Sequence, residues 1–222
     1  MTDQAIHKTV PTSRAARTRN ALLTAGRMLF AERPFDAVAI DDIVQQAAVA
    51  KGTFYNHFED KDALLNAIVA EIRQGIERRI TLVNAGIEDP PARIARAMCV
   101  YVASAAADPA EGHILLRNDP RGSARTSLNE GLRSDLTAGL QSGRLVVPTI
   151  EAGLLYVIGV THSLLLSAVR YPETARTVLT AQQLCMLMLR SFGLSHHEAE
   201  LIASQAADKI ISQRAHEIAD AE

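Results

Sequence analysis

Apolar residues recur every three or four positions along most of the chain, and no apolar–polar alternation appears beyond Pro91. Side chains three and four apart share one face of a helix, whereas a half-buried strand has a period of two. The helical pattern is clearest from Asp62 onward, where the apolar positions are Leu65, Ile68, Val69, Ile72, Ile76, Ile80 and Val83. The sequence therefore predicts an all-α protein.

Turn residues and capping residues divide this pattern into separate helices. The first helix is expected to begin after a cap at Thr12 or Ser13 and to run to about Glu32. After the long helix from Asp62, further helices are predicted over residues 92–107, 113–117, 127–141, 149–170, 172–192 and 195–218, with a loop at 119–122. Ser195 should cap the last helix, with Glu198 at the capping-box position.

Two short helices joined by a tight turn are predicted between Ile40 and Lys61. In the second one, Phe54 and Phe58 are four residues apart, so both rings should point inward. The outer positions are then Lys51, Gly52, Thr53, Tyr55, Asn56 and His57. Such hydrogen-bonding groups contact phosphates and base edges in a major groove. The stretch is a candidate helix-turn-helix, with residues 51–57 as its recognition helix.

Individual roles follow from side-chain chemistry. Lys51 suits a phosphate or a guanine edge, Thr53 a thymine, and Asn56 an adenine or a phosphate. Gly52 would let the backbone approach DNA closely. Lys61 could face a phosphate together with the helix amides beside it. For Tyr55 and His57, partial packing against the first helix is an alternative.

Residues 19–65 carry an ordered series of motifs: Arg19, Leu29-Phe30, Asp42-Ile43, Ala48-Val49, Gly52-Thr53-Phe54-Tyr55, His57-Phe58, Lys61 and Leu64-Leu65. The series resembles the DNA-binding domain of the TetR (AcrR-type) family of bacterial transcriptional regulators. The resemblance implies an N-terminal three-helix domain at residues 1–61 and a larger ligand-binding and dimerisation domain at 62–222. It also implies that Tyr55 and His57 contact phosphates and fix the register on DNA.

Three positions depart from the family pattern. Pro34 stands where the family usually has glycine and cannot adopt a left-handed conformation. Ala39 and Ala50 replace the Ser or Thr that normally begins the two short helices. A missing cap costs about 1 kcal/mol, which Asp41 and Asp42 should partly offset at the positive end of the helix dipole.

The formal net charge of −2 indicates that any contact with nucleic acid is local. The first 33 residues hold the cations Lys8, Arg14, Arg17, Arg19, Arg27 and Arg33 against Asp3 and Glu32, an excess of four positive charges. We therefore expect Arg14 and Arg17 to contact phosphates beside the helix-turn-helix, although a solvated basic surface is the alternative.

The remaining sequence suggests a cytoplasmic protein without metal or cofactor. Cys99 and Cys185 lack metal spacing and fit a reducing compartment as buried apolar residues. The uncharged stretch 152–169 reaches the lower length limit for a membrane span, but a buried or interfacial helix explains it better. No catalytic constellation of residues is present in the sequence, so an enzyme is not expected.

The C-terminal part should hold the partners that the resemblance implies. Two long apolar helices, at about 149–170 and 172–192, are expected to pair with their copies in a homodimer. Candidate residues for an effector pocket are Met98, Tyr101, Arg117 and Tyr156, although for each one an ordinary place in the core or on the surface is the favoured interpretation. The leading hypothesis is a repressor that a small-molecule inducer releases from a near-palindromic operator. The alternative is a DNA-binding adaptor or an activator without such an inducer.

Overall fold

The computed structural model describes residues 13–117 and 129–212, and within those ranges it contains helices and no strands. The first helices are α1 (Arg14–Glu32), α2 (Ile40–Gln46), α3 (Lys51–Tyr55), α4 (Lys61–Val83) and α5 (Pro90–Ala107). They are followed by α6 (Pro109–Arg117), α7 (Glu130–Gln141), α8 (Ile150–Arg170), α9 (Thr174–Ser191) and α10 (His196–Ala207). The all-α prediction is confirmed.

The chain divides into two compact units, Met1–Ile68 and Val69–Glu222. The division falls inside α4, because the first part of that helix packs in the first unit. We refer to the first unit as the head. The functional boundary expected between residues 61 and 62 stays a prediction.

The head is built around fully buried side chains from each of its helices, namely Leu22, Phe30, Ile43, Phe54 and Leu64. A Cβ on Gly26 would lie only 2.8 Å from Leu64 Cδ2 and 3.0 Å from Ile68 Cδ1. The missing side chain therefore lets α1 and α4 approach closely. A three-residue 3₁₀ turn, Phe35–Ala37, links α1 to α2.

The second unit is organised around α5, which packs against each of the helices α6 to α10. Its fully buried residues include Ile94, Cys99 and Val102. The two predicted caps are confirmed, since Ser13 accepts from the Ala16 N–H and Ser195 from the Glu198 N–H. The Glu198 side chain, however, pairs with Arg144 at 2.8 Å.

The last helix is shorter than its pattern suggested, because α10 ends at Ala207 and a π-helical turn, Asp208–Ser212, follows. Residues 213–218 lie outside the described residues, as do the predicted loop 119–122 and residues 127–128 of the predicted helix 127–141. Among the described residues, α8 is the one helix long and apolar enough to cross a membrane, by length and composition only. A core or interfacial helix of the same composition passes the same test.

Candidate nucleic-acid interface

The recognition helix is anchored by aromatic residues on one side. Phe54 is fully buried and Phe58 is 6% exposed, with ring centroids 5.9 Å apart. Both point inward, as their spacing predicts. Arg19 of α1 lies over the Phe58 ring, with its guanidinium carbon 5.3 Å from the centroid. This aromatic packing fixes which side of α3 faces solvent.

The opposite side of α3 carries the predicted DNA-contacting residues. Lys51, Gly52, Tyr55 and Asn56 are exposed, whereas Thr53 and His57 are half-buried. Helix α3 itself ends at Tyr55, but the His57 and Phe58 amides still donate to the Phe54 carbonyl at 2.9 Å. The expected residues therefore lie on one short, exposed segment.

Gly52 and Tyr55 show that this surface is open. A Cβ built on Gly52 would meet nothing within 4 Å, so the fold does not require glycine there. Tyr55 is 52% exposed, and its ring contacts the Phe54 ring edge-on at 5.5 Å. Its hydroxyl is thus not committed to the core, which leaves it suited to a phosphate.

Lys51 is exposed, and its ammonium group is paired with an acidic neighbour. Its ammonium pairs with Asp41 of α2 at 2.8 Å, and this hydrogen bond raises the pKa of Lys51 above its ordinary value. Lys51 is cationic at neutral pH with or without the pair. A phosphate in reach of Lys51 would compete with Asp41 for the same ammonium group.

Helix α2 has no side-chain cap at Ala39, but a different hydrogen bond stabilises its start. The sequence did not lead us to expect this bond. The Ala39 N–H donates to Asp42 Oδ2 at 3.0 Å, and Arg33 pairs with the same oxygen at 3.1 Å. The hydrogen bond from Ala39 lowers the pKa of Asp42, and the nearby Arg33 acts in the same direction. Asp42 thus supplies one half of a capping box, in addition to its expected position at the helix dipole.

The turn between α2 and α3 contains a strained residue. Ala48 has a φ of 53°, the one positive φ of a residue other than glycine in the described part of the chain. A glycine would adopt that conformation without a steric cost. The strain lies directly before the segment that presents Lys51.

Lys61 has a structural role that its position at the start of α4 did not indicate. Its ammonium donates to the carbonyls of Phe35 and Val38 at 2.6 and 2.8 Å, and it lies 4.2 Å from the centroid of the Phe35 ring. The side chain thereby fixes the turn after Pro34. Asp60, which the sequence interpretation missed, caps α4 by accepting from the Ala63 N–H at 2.7 Å.

At the N-terminal end of the head, Arg14 and Arg17 are both exposed in the first turns of α1. Their guanidinium groups are available to a phosphate, so their predicted contact with DNA stays a prediction. The α1 helix closes with Arg33 in an extended conformation (φ −124°, ψ 150°), as a residue before proline prefers. The left-handed closure excluded by Pro34 is indeed not used.

The predicted effector-pocket residues do not form one group. Met98 is 1% exposed and contacts the Cys185 sulfur, at 4.0 Å, while Tyr101 contacts Glu77. Tyr156 is 41% exposed, with its ring 5.7 Å from that of Phe192. The side chain of Arg117 lies outside the described residues.

A cluster of polar residues around Tyr101 was missed from the sequence; Arg73 and Asn129 in it are buried, whereas Glu77 and Tyr101 are half-buried. Arg73 Nη2 donates to Asn129 Oδ1 at 2.8 Å, and the Tyr101 hydroxyl donates to Glu77 Oε1 at 3.3 Å. The nearby Arg73 guanidinium acts to lower the pKa of Tyr101, against the larger effect of burial, which raises it. We call Arg73, Glu77, Tyr101 and Asn129 the buried polar cluster. The available signal was the four-residue spacing of Arg73 and Glu77 within an apolar stripe.

The described residues contain no group of three or more His, Cys, Asp or Glu residues placed to hold a metal ion. Cys99 and Cys185 are both buried thiols. The candidate functional features of residues 13–117 and 129–212 are the exposed face of α3 and the buried polar cluster.

In comparisons with known proteins, one family model matches the N-terminal part of the chain and a second one matches the C-terminal part. The family model described as "Bacterial regulatory proteins, tetR family" matches residues 22–68, and "Tetracyclin repressor-like, C-terminal domain" matches residues 89–205. The transcriptional repressor DhaR of Mycobacterium sp. (strain GP1) is 38% identical over 75 residues, 34% of this chain. The Tn10 TetC protein of Escherichia coli is 46% identical over 50 residues, 22% of this chain. These matches span 38% and 25% of the two relatives' own lengths.

Solved structures are similar over most of the chain. RolR in complex with resorcinol is 26% identical, with a TM-score of 0.69 over 86% of this chain and 95% of that one. A regulator from Shewanella sp. PV-4 has a TM-score of 0.71 over 80% and 99% of the two chains, and at 19% identity it shows the fold alone. Because the C-terminal family model alone covers more than half of the chain, this protein belongs to the TetR family and is a DNA-binding transcriptional regulator.

Proposed function

We propose that this regulator is a repressor that binds a near-palindromic operator as a homodimer and leaves it when a small molecule binds the second unit. The observation that carries the proposal is the open face of α3, where exposed hydrogen-bonding residues lie opposite the buried Phe54. In each protomer this face would enter one major groove. The two half-sites would then lie about 34–36 Å apart, or a multiple of that distance.

Contacts within this face divide into positioning and reading. Tyr55, His57, Arg14 and Arg17 would bind phosphates and set the register, while Asn56 and Thr53 would contact bases. Lys51 would exchange its bond to Asp41 for a phosphate or a guanine edge. Because Lys61 already donates to two carbonyls, its contribution would be mainly to order the turn before α2.

The homodimer is supported by apolar side chains left exposed on α8 and α9. On α8, Leu155 and Leu166 are 47% and 52% exposed, and on α9, Leu179 and Leu187 are 54% and 55% exposed. Apolar residues scattered singly need no explanation, but several on two adjacent helices mark an interface. The proposed partner is a second copy of this chain, as expected for a two-fold symmetric operator.

Release by a small molecule is supported by the similarity to RolR, which has been crystallised with resorcinol. An effector that binds the second unit would favour a state with lower DNA affinity, by as much as its affinity differs between the two states. This role requires no enzymatic activity. It places the protein in the cytoplasm, where it reaches DNA.

The test is to recover the genomic fragments that the purified protein retains and to measure binding to them. We expect selective, steeply salt-dependent binding, because phosphate contacts release counterions. Tyr55→Ala should weaken binding, whereas Tyr171→Ala, which alters a tyrosine of similar exposure (42%) in the second unit, should not. Equal binding by both variants, or no selective retention, would contradict the proposal.

A further inference from the structure

The buried polar cluster joins three helices of the second unit. Arg73 and Glu77 lie on α4, Tyr101 lies on α5, and Asn129 directly precedes α7. Arg73 is only 7% exposed and Asn129 only 8%. The neighbouring turns of the same helices bury apolar residues such as Ile76 and Val102, both 0% exposed. A charged group is thus enclosed in an otherwise apolar region.

Such an arrangement is poorly explained as a stabilising contact. Burial raises the pKa of Glu77 and that of Tyr101, so the enclosure disfavours the charged form of each group. Apolar side chains of the same shape can replace both partners of a buried hydrogen bond, such as that between Arg73 and Asn129, with little loss of stability. A function in recognition is therefore the better reason for its presence.

Glu77 also has acceptor capacity that the described residues leave unused. The Tyr101 hydroxyl reaches it at 3.3 Å, which exceeds the usual O–H···O distance of about 2.5–3.0 Å. Within the described residues no shorter bond to Glu77 is present. A Cβ on Gly131, which is exposed, would lie 4.0 Å from Glu77 Oε2 with no other neighbour that close, so this oxygen faces an open side of α7 from which a ligand can approach.

The polar network around Arg93, which also lies in the second unit, differs because its acceptors already receive hydrogen bonds. Arg93 donates to Asp135 at 2.5 Å and to the carbonyls of Asn84 and Ile87 at 3.3 and 3.1 Å. Arg93 thus holds the turn that follows α4, and each of these acceptors receives a hydrogen bond from it. The buried polar cluster is the network in which a ligand would find an unfilled acceptor.

Charge balance restricts the kind of ligand. Arg73 and the Glu77 carboxylate already cancel each other, so an anion or a cation bound there would add an uncompensated buried charge, which costs several kcal/mol. A hydroxyl group adds no charge. It can donate to Glu77 in a short, charge-assisted bond and accept from Tyr101 or Arg73 through the same oxygen.

We propose that the buried polar cluster is the polar anchor of the effector site, and that the effector is an uncharged, hydroxylated small molecule whose hydroxyl donates to Glu77. This inference rests on the proposed function, in which a small molecule binds the second unit. It specifies the residues that hold the ligand and the chemistry that selects it.

The test uses isothermal titration calorimetry on the full-length protein with four single-ring probes: phenol, toluene, benzoate and benzylammonium. Phenol should bind more tightly than the other three. Glu77→Gln, which keeps the side-chain shape, should weaken phenol binding about tenfold to a hundredfold, as expected for a lost hydrogen bond to a charged group. Tyr101→Phe removes a neutral donor and should weaken phenol binding about twofold to tenfold. Tyr171→Phe removes an exposed hydroxyl and should leave the affinity unchanged. Should Glu77→Gln not fold, Tyr101→Phe decides.

Unchanged phenol binding in Tyr101→Phe and Glu77→Gln would overturn the inference, as would equal or tighter binding of toluene, benzoate or benzylammonium. The same variants are assayed for retention of the selected DNA fragments. Both should retain them like the wild type, since the cluster lies in the second unit. Failure of the wild type to retain any fragment selectively contradicts the proposed function, and this result is independent of the calorimetry.

Discussion

Replacing Ala48 with glycine should stabilise the head, because Ala48 has a left-handed backbone conformation with a φ of 53°. This conformation costs a residue that carries a Cβ about 1–2 kcal/mol. Glycine avoids the cost, although its greater freedom in the unfolded chain offsets roughly 0.5–1 kcal/mol of the gain. The free energy of unfolding should therefore rise, by up to about 1.5 kcal/mol.

The assay is amide hydrogen exchange at residues 40–58, which reports the free energy of local opening of the head. Ala47→Gly is the matched control, since Ala47 has an ordinary helical conformation (φ −80°, ψ −5°). That substitution should destabilise the head by roughly 0.5–1 kcal/mol. Opposite effects at adjacent alanines are the signature of strain at Ala48. If Ala48→Gly destabilises the head as much as Ala47→Gly does, the strain argument is wrong.

Three further predictions concern the head. Gly26→Ala should lower the stability of the head by about 1–3 kcal/mol, because the new Cβ would lie 2.8 Å from Leu64 Cδ2. Gly52→Ala is the matched control and should not destabilise the helix, because its Cβ would have no neighbour within 4 Å. Thermal unfolding compares the two variants. Lys61→Met should lower the stability of the head by about 1.5–3 kcal/mol, measured by denaturant titration, because two carbonyls lose a charged donor; no change would remove its structural role. Asp42→Asn should destabilise the head at neutral pH, and the difference in stability from the wild type should vanish in acid. The pKa of Asp42 is lowered in the folded state. Its contribution to stability is therefore present above the unfolded-state pKa and is lost as the pH falls through the folded-state pKa. A difference that persists below that range, in melts recorded across pH, would contradict this.

Much of the head was predictable because its signals are local. The four-residue spacing of Phe54 and Phe58 correctly placed both rings inward, which in turn identified the exposed side of α3. Ser13 was recognised as a cap because a hydroxyl directly precedes a helical pattern. Such features depend on residues within one or two turns of each other.

The roles of Lys61 and Asp42 were not predictable in the same way. Lys61 binds carbonyls 23 and 26 residues earlier in the chain, and no sequence pattern indicates that these carbonyls need a donor. Asp42 was expected to act only through the helix dipole, yet it accepts a specific hydrogen bond from Ala39. Both act where the chain departs from the family pattern, in the turn after Pro34 and at the helix start after Ala39.

The second unit was harder to interpret because its polar contacts are long-range. Arg73 and Asn129 are 56 residues apart, and Glu77 and Tyr101 are 24 apart. Helical periodicity assigns each residue to a face but does not say which faces meet. Tyr101 was therefore identified as a candidate without its partners, and Arg73 was overlooked because charged residues are seldom fully buried.

The most direct test of the central claim compares affinities for the selected operator and for a scrambled duplex. Asn56→Ala should reduce the preference for the operator about tenfold or more, because each base contact contributes roughly 1–3 kcal/mol of discrimination. Lys51→Met should weaken binding to both duplexes and reduce the salt slope by about 1, as loss of a phosphate contact does. If both variants bind the two duplexes as the wild type does, α3 is not the surface that binds DNA.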